Sequence, residues 1–177
     1  MTKLKKMFRT LPLWALCIIA VGGAAGAMTV ARNHVVVKEA GRPEVKVTLA
    51  GTIERGGKLL TLDKAGAVNP GEILQWNIAT VNEGDGSAHG YKSVSRVPEG
   101  TVFVAGSAHA ESGAAVTYSI DKGQTFASLP LIEEKQPDGS TKQVPAPVSM
   151  YTEVRYEWND ALAAGGKLSA SYKVRVK

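Results

Sequence analysis

Cysteine is almost missing from this chain: Cys17 is the only one in 177 residues. That excludes a disulfide framework and the cysteine-rich kind of zinc site. Aromatic residues make up only 6% of the sequence, too few for the girdles of an outer-membrane barrel, which would also need longer alternating segments. Nor does the body of the chain carry an excess of one charge. The formal net charge is +5, but Lys3, Lys5, Lys6 and Arg9 stand at the start with no acid beside them through Ala27. Setting residues 1–27 aside removes those four from the 21 Lys and Arg and leaves 17 against 16 Asp and Glu. With that balance, and no basic patch interleaved with aromatics, a nucleic-acid partner is not expected.

Catalytic signatures are also missing. His34, His89 and His109 are the three histidines; none belongs to an HExxH or a paired-histidine spacing, and no Gly-x-Ser-x-Gly elbow accompanies them. His89 and His109 sit among glycines and alanines and read as solvated turn residues. No cofactor is expected, and an enzyme is the least favoured class.

What the sequence does hold at its start is the order of a secretory signal peptide: basic residues, an apolar run over 11–21, then small residues ending in Ala25-Gly26-Ala27. Residues 1–27 are therefore expected to form a signal-peptide helix, with the mature chain beginning near Met28. The rival reading is an uncleaved N-terminal anchor, the only membrane contact the sequence suggests. Lipidation is disfavoured, since Leu16 stands before Cys17 where a small residue is needed. The expected location is secreted, periplasmic or at the cell surface.

Beyond residue 28 no segment keeps a 3.6-residue apolar period, and strands separated by turns take over. Val45, Val47 and Leu49 alternate with Lys46 and Thr48; Gly56-Gly57 marks a hairpin turn before Leu59-Leu60-Thr61-Leu62. Asn69-Pro70-Gly71 precedes a strand over 73–81, in which Leu74, Trp76 and Ile78 share a face. Further strands are expected over 91–97, 101–105 and 116–120, and around Val154, Tyr156 and Trp158. In the last strand Leu168, Ala170, Tyr172, Val174 and Val176 face one way. Four prolines between residues 130 and 147 surround Asp138-Gly139, which reads as an excursion hairpin. About seven to nine short strands argue for an all-β antiparallel sandwich over 45–177, with a closed barrel as the alternative.

Certain phrases go further. Asn69-Pro70-Gly71 before a strand carrying Trp76, then Asn82-Glu83-Gly84, then Pro98-Glu99-Gly100 before Phe103 resemble, in order and spacing, the conserved-repeat domain of bacterial and archaeal envelope proteins, the domain of unknown function eleven. Tyr118-Ser119-Ile120-Asp121-Lys122-Gly123-Gln124-Thr125-Phe126, Tyr151 to Tyr156, and Leu162 to Gly166 before the last strand also look like versions of it. The resemblance spans about residues 45–177. It implies an immunoglobulin-like sandwich in a secreted or surface protein, usually without catalysis.

Three local features remain. Asn82, Asp85 and Ser87 place oxygen ligands in one glycine-rich loop, a candidate calcium site whose spacing matches no EF-hand. Trp76 and Trp158 read as core residues rather than a sugar-stacking platform, and Tyr151 is open between the two. Residues 28–44 hold Val35-Val36-Val37 before a linker-like stretch. This is either a first strand of the sandwich or an assembly arm that adds to a neighbour's sheet edge. The function expected is a noncatalytic structural, adhesion or assembly module whose partners are other envelope proteins or further copies of itself. A carbohydrate-binding or other ligand-binding module is the alternative, and a filament subunit built by strand addition its sharpest structural form.

Overall fold

The computed structural model describes residues 41–177; the signal peptide or anchor, His34 and Val35-Val36-Val37 lie outside the described residues. Eleven strands are present there: β1 (Val45–Arg55), β2 (Lys58–Thr61), β3 (Ile73–Asn82), β4 (Lys92–Arg96), β5 (Thr101–Phe103), β6 (His109–Ala110), β7 (Ala115–Ser119), β8 (Leu131–Lys135), β9 (Thr141–Pro145), β10 (Glu153–Glu157) and β11 (Lys167–Val176). One short helix, α1 (Leu62–Ala65), follows β2, and a 3-10 turn spans Val148–Met150. The all-β antiparallel sandwich expected from the alternation is what forms.

The first sheet runs β2-β1-β3-β11-β5, with β6 also paired to β11. The second is β4-β10-β7, and β8-β9 makes a separate two-stranded hairpin. That hairpin is the proline-bounded excursion, turned at Asp138-Gly139 with Gly139 at φ 82°. Gly56 and Gly57 take φ values of 58° and 72°, which a tight hairpin turn between β1 and β2 demands and most side chains resist. Three elements carry no local signal long enough to read: α1, β6, and the 3-10 turn. His109 consequently stands on β6 rather than in a turn, although it is exposed as expected.

The sheets face one another across a core that includes Ile53, Leu74, Ile78, Phe103, Val154, Tyr156, Tyr172 and Val174. Alternation puts them there, since each strand sends every second side chain inward. Burying an aliphatic or aromatic side chain of this size stabilises by about 1.5–3 kcal/mol relative to leaving it in water. Hydroxyls pin the two sheets in both directions. Tyr156 on β10 donates to the Ser171 carbonyl on β11 at 2.8 Å, and Tyr172 on β11 donates to the Arg96 carbonyl on β4 at 2.6 Å.

One ion pair ties the α1 end of the first sheet. Arg55, at the end of β1, meets Glu72 in a two-pronged contact with Nε–Oε1 and Nη2–Oε2 both 2.8 Å, and also donates to the carbonyls of Ala65 and Ala67. The backbone N–H of Asn69 adds a further bond to Glu72 Oε2 at 2.6 Å. These donors, the Arg55 guanidinium first, hold the Glu72 carboxyl down at about 2 against an ordinary 4.5. A carboxyl more acidic in the folded chain contributes stability at pH values above its unfolded value, and that contribution disappears as pH falls toward 2. Glu72→Gln is therefore expected to melt at a lower temperature than the parent at pH 7, with the gap closing between pH 4.5 and 2. Calorimetry across that range checks it; a gap independent of pH would mean the carboxylate's charge is irrelevant.

Candidate functional site

The loop after β3 is built around one side chain. Asn82 is fully buried, and its amide is used at every position. Its Oδ1 accepts the backbone N–H of Glu44 at 3.0 Å and of Gly84 at 3.2 Å. Its Nδ2 lies within donating distance of the carbonyls of Gly86, Leu162 and Ala163, at 2.7, 3.0 and 3.2 Å. Asp85 Oδ1 accepts the N–H of Arg42 at 2.7 Å. A Cβ on Gly86 would land on the backbone of Gly41 and Arg42, so only glycine lets the chain entering β1 cross this loop.

The candidate calcium ligands Asn82, Asp85 and Ser87 share this loop, and two of their oxygens are already engaged. A cation needs oxygens with lone pairs turned toward it, whereas Asn82 Oδ1 and Asp85 Oδ1 each accept from backbone donors. Asn82 is a staple joining the start of β1, the end of β3 and the 162–163 turn. Among the described residues, no group of three or more His, Cys, Asp or Glu is placed to hold a metal ion.

The aromatic residues are mostly turned inward. Tyr151 and Trp158 are buried, and Trp158 donates its indole N–H to the Glu111 carbonyl at 3.0 Å. Tyr118 stacks on Tyr151 with ring centroids 4.8 Å apart, and Phe103 lies 5.3 Å from Tyr118. Tyr91 stacks on Trp158 at 5.5 Å. Trp76 departs from the expectation of a fully covered core ring. It stands on the inner face of β3 beside Gly51 of β1 and Tyr172 of β11, yet it remains partly exposed, lining a concavity with Leu49, Val94 and Tyr172. Its indole N–H is buried without a partner among the described residues.

A concavity of about 570 Å³ lies at the Val97–Thr101 turn and the start of β10. Arg96, Lys122 and Lys177 line it together with Glu99 and Glu153, and Arg96 Nε sits 3.4 Å from Glu153 Oε1. Two of its hydroxyls are already engaged, Thr101 Oγ1 donating to the Pro98 carbonyl at 2.7 Å. Thr152 Oγ1 donates to the Ser119 carbonyl and accepts the Lys122 N–H, both at 3.1 Å. Burial pushes the Tyr151 phenol upward, away from the range of a working base. What this cleft can do is hold a polar group between its cations and acids.

Beside it is a hydrogen-bonded hub within the Tyr118–Phe126 phrase. Ser119 Oγ donates to Asp121 Oδ1 at 2.7 Å and accepts the N–H of Gly123 at 2.8 Å. Asp121 also receives the backbone N–H and the hydroxyl of Thr125, at 2.9 and 2.5 Å. Bonds from Ser119 and then Thr125 lower its carboxyl to about 2. Seryl, aspartyl and threonyl groups spaced two and four apart are the available signal for such a loop. No family model, no curated protein and no solved structure matches this chain.

Proposed function

We propose that this protein is a noncatalytic structural module of the cell envelope or of the secreted fraction, working through adhesion or assembly. The observation that carries this reading is how the polar and aromatic groups are spent. Asn82, Asp121, Ser119, Tyr156 and Tyr172 all hold the sandwich together, and the histidines His89 and His109 stand apart on its surface. The basic, apolar and small-residue order of residues 1–27 supports export. The phrases resembling the envelope repeat, from Asn69-Pro70-Gly71 to the last strand, support membership in that immunoglobulin-like class. Intact-mass measurement of the protein from fractionated cells tests the location. A chain starting near Met28 in the exported fraction is expected, and a soluble cytoplasmic product retaining Met1 would overturn it.

A second reading is favoured by one feature, the cleft at Val97–Thr101. Three cations against two acids suit an anionic polar ligand such as an acidic sugar. Screening the protein against an acidic-glycan panel, with Arg96→Ala as control, separates the two. Binding lost in that variant would favour the ligand-binding module over the purely structural one.

A further inference from the structure

The outer face of β11 carries charge of one sign. Alternation sends Ala170, Tyr172 and Val174 to the core and leaves Lys167, Ser169, Ser171, Lys173 and Arg175 on the outer face of the first sheet. Lys167, Lys173, Arg175 and the next residue in phase, Lys177, are exposed. On an edge strand such cations would serve to keep other chains from pairing. β11 is not an edge: β3 lies on one side of it, β5 and β6 on the other.

Within a sheet, charges are stabilised by opposite charges directly across the strands. Opposite Lys167, Lys173 and Arg175 on β3 stand Val81, Gln75 and Ile73, and Val102 of β5 is the other neighbour of Arg175. Among the described residues the acids that form ion pairs answer other cations: Glu72 pairs with Arg55, Glu83 with Lys46, Glu153 with Arg96 and Glu157 with Lys92. Lys173 does share a concavity of about 360 Å³ with Glu54 and Glu72. Glu72 is already held by Arg55 there, so Glu54 is the acid left to face the strip.

The strip does not stop with the sheet. Lys177 also lines the cleft at the Val97–Thr101 turn, together with Arg96 and Lys122. Residues on one face of a strand recur about every 6.5–7 Å. Lys173, Arg175 and Lys177 therefore repeat a positive charge at that interval and lead into the cleft.

We propose that strip and cleft together bind a linear acidic polysaccharide, a chain of uronic acid units laid along β11 with one end in the cleft. This deepens the ligand-binding reading of that cleft and rests on it. One acidic sugar needs only the cleft, whereas a row of like charges suits a chain that repeats its own charge. The groups beside the cations suit a sugar's hydroxyls: Ser169 and Ser171 alternate with the core residues of β11, and Gln75 and Asn77 lie across from Lys173 and Ser171 on β3. Gln75 gives one amide hydrogen to Asn77 and keeps the other. A single-stranded nucleic acid suits this face less well, because its bases need exposed rings to stack on, and the rings of these two strands, Trp76 and Tyr172, are on the inner face.

Calorimetric titration of the full chain with oligogalacturonates of two and ten residues tests this, with a ten-residue thymidylate as the rival polyanion. The ten-residue glycan is expected to bind at least about tenfold more tightly than the two-residue one, through added contacts along one molecule. Raising the salt concentration should weaken it. Lys173→Gln/Arg175→Gln should bring the long glycan down to the affinity of the short one and leave the short one unchanged. Lys135→Gln/Lys142→Gln, which removes two cations from the β8–β9 hairpin, should change neither. Equal affinity for the two lengths, lost in Arg96→Ala, overturns the strip while keeping the ligand-binding reading of the cleft; no binding at either length overturns both. An equal loss in the hairpin variant overturns the proposal by reducing it to net charge, and tighter binding of the thymidylate overturns it in favour of a nucleic acid.

Discussion

Replacing Asn82 with alanine is expected to cost about 3–5 kcal/mol of folding free energy, because buried backbone groups left without a partner cost roughly 1–3 kcal/mol each and do not add fully. Three such groups lose their partner together, the N–H of Glu44 and Gly84 and the carbonyl of Gly86, while the carbonyls of Leu162 and Ala163 lose one of two donors and keep the N–H of Ala88 and Gly166. Water can reach some of them, which keeps the total below the sum. Asn82→Asp sharpens the test. It retains an acceptor for Glu44 and Gly84 but turns a second oxygen onto three carbonyls, so it should destabilise at least as much as alanine. A cation site would respond the other way, with a carboxylate tightening it. Urea unfolding of the three proteins, with and without millimolar calcium, decides between them. A loss below about 1 kcal/mol for alanine, or a calcium-dependent rise in stability that Asn82→Asp enhances, would end the account of Asn82 as a staple.

The same residue shows where sequence reading stops. Asn82, Asp85 and Ser87 in a glycine-rich loop look alike whether their oxygens meet a cation or backbone donors. Two of the amide's partners, Leu162 and Ala163, come from about 80 residues further on. Period-two patterns need no such information. β11 could be read almost to its ends because its inward residues, from Leu168 to Val176, follow from alternation alone, as do β1, β3 and β10. The face of Trp76 was legible for the same reason. Its coverage was not, since that depends on side chains brought near it from other strands, such as Leu49 and Val94. α1 and β6, four and two residues long, are shorter than any period that could announce them. The hydroxyl and carboxylate hub at Ser119 and Asp121 was not singled out by the sequence, because its effect is to fix a loop.

Tyr156→Ala is expected to lose about 3–5 kcal/mol, the cost of emptying a large core position. Tyr156 has no measurable exposure and stands on the central strand of the second sheet. Its ring lies 6.2 Å from that of Trp158, and its hydroxyl reaches the Ser171 carbonyl of the facing sheet. Tyr156→Phe keeps the ring and gives up only that bond, so about 1–2 kcal/mol is expected from the loss of one buried donor. The two variants thus divide packing from the inter-sheet hydrogen bond. Alkaline pH divides them again. Burial, before any neighbouring charge, raises the phenol of Tyr156 above its ordinary 10.0 and that of Tyr172 to about 12. A phenol that holds its proton more tightly when folded contributes stability that is complete below pH 10 and lost as pH climbs through the folded value. Tyr156→Phe should therefore unfold less steeply than the parent between pH 10 and 12, even though it is the weaker protein at pH 7. Denaturant midpoints across that range measure both effects. If Tyr156→Ala costs under about 1 kcal/mol, the two sheets do not close on this ring; if Tyr156→Phe shows the parent's alkaline slope, its hydroxyl is reached by water in the folded protein.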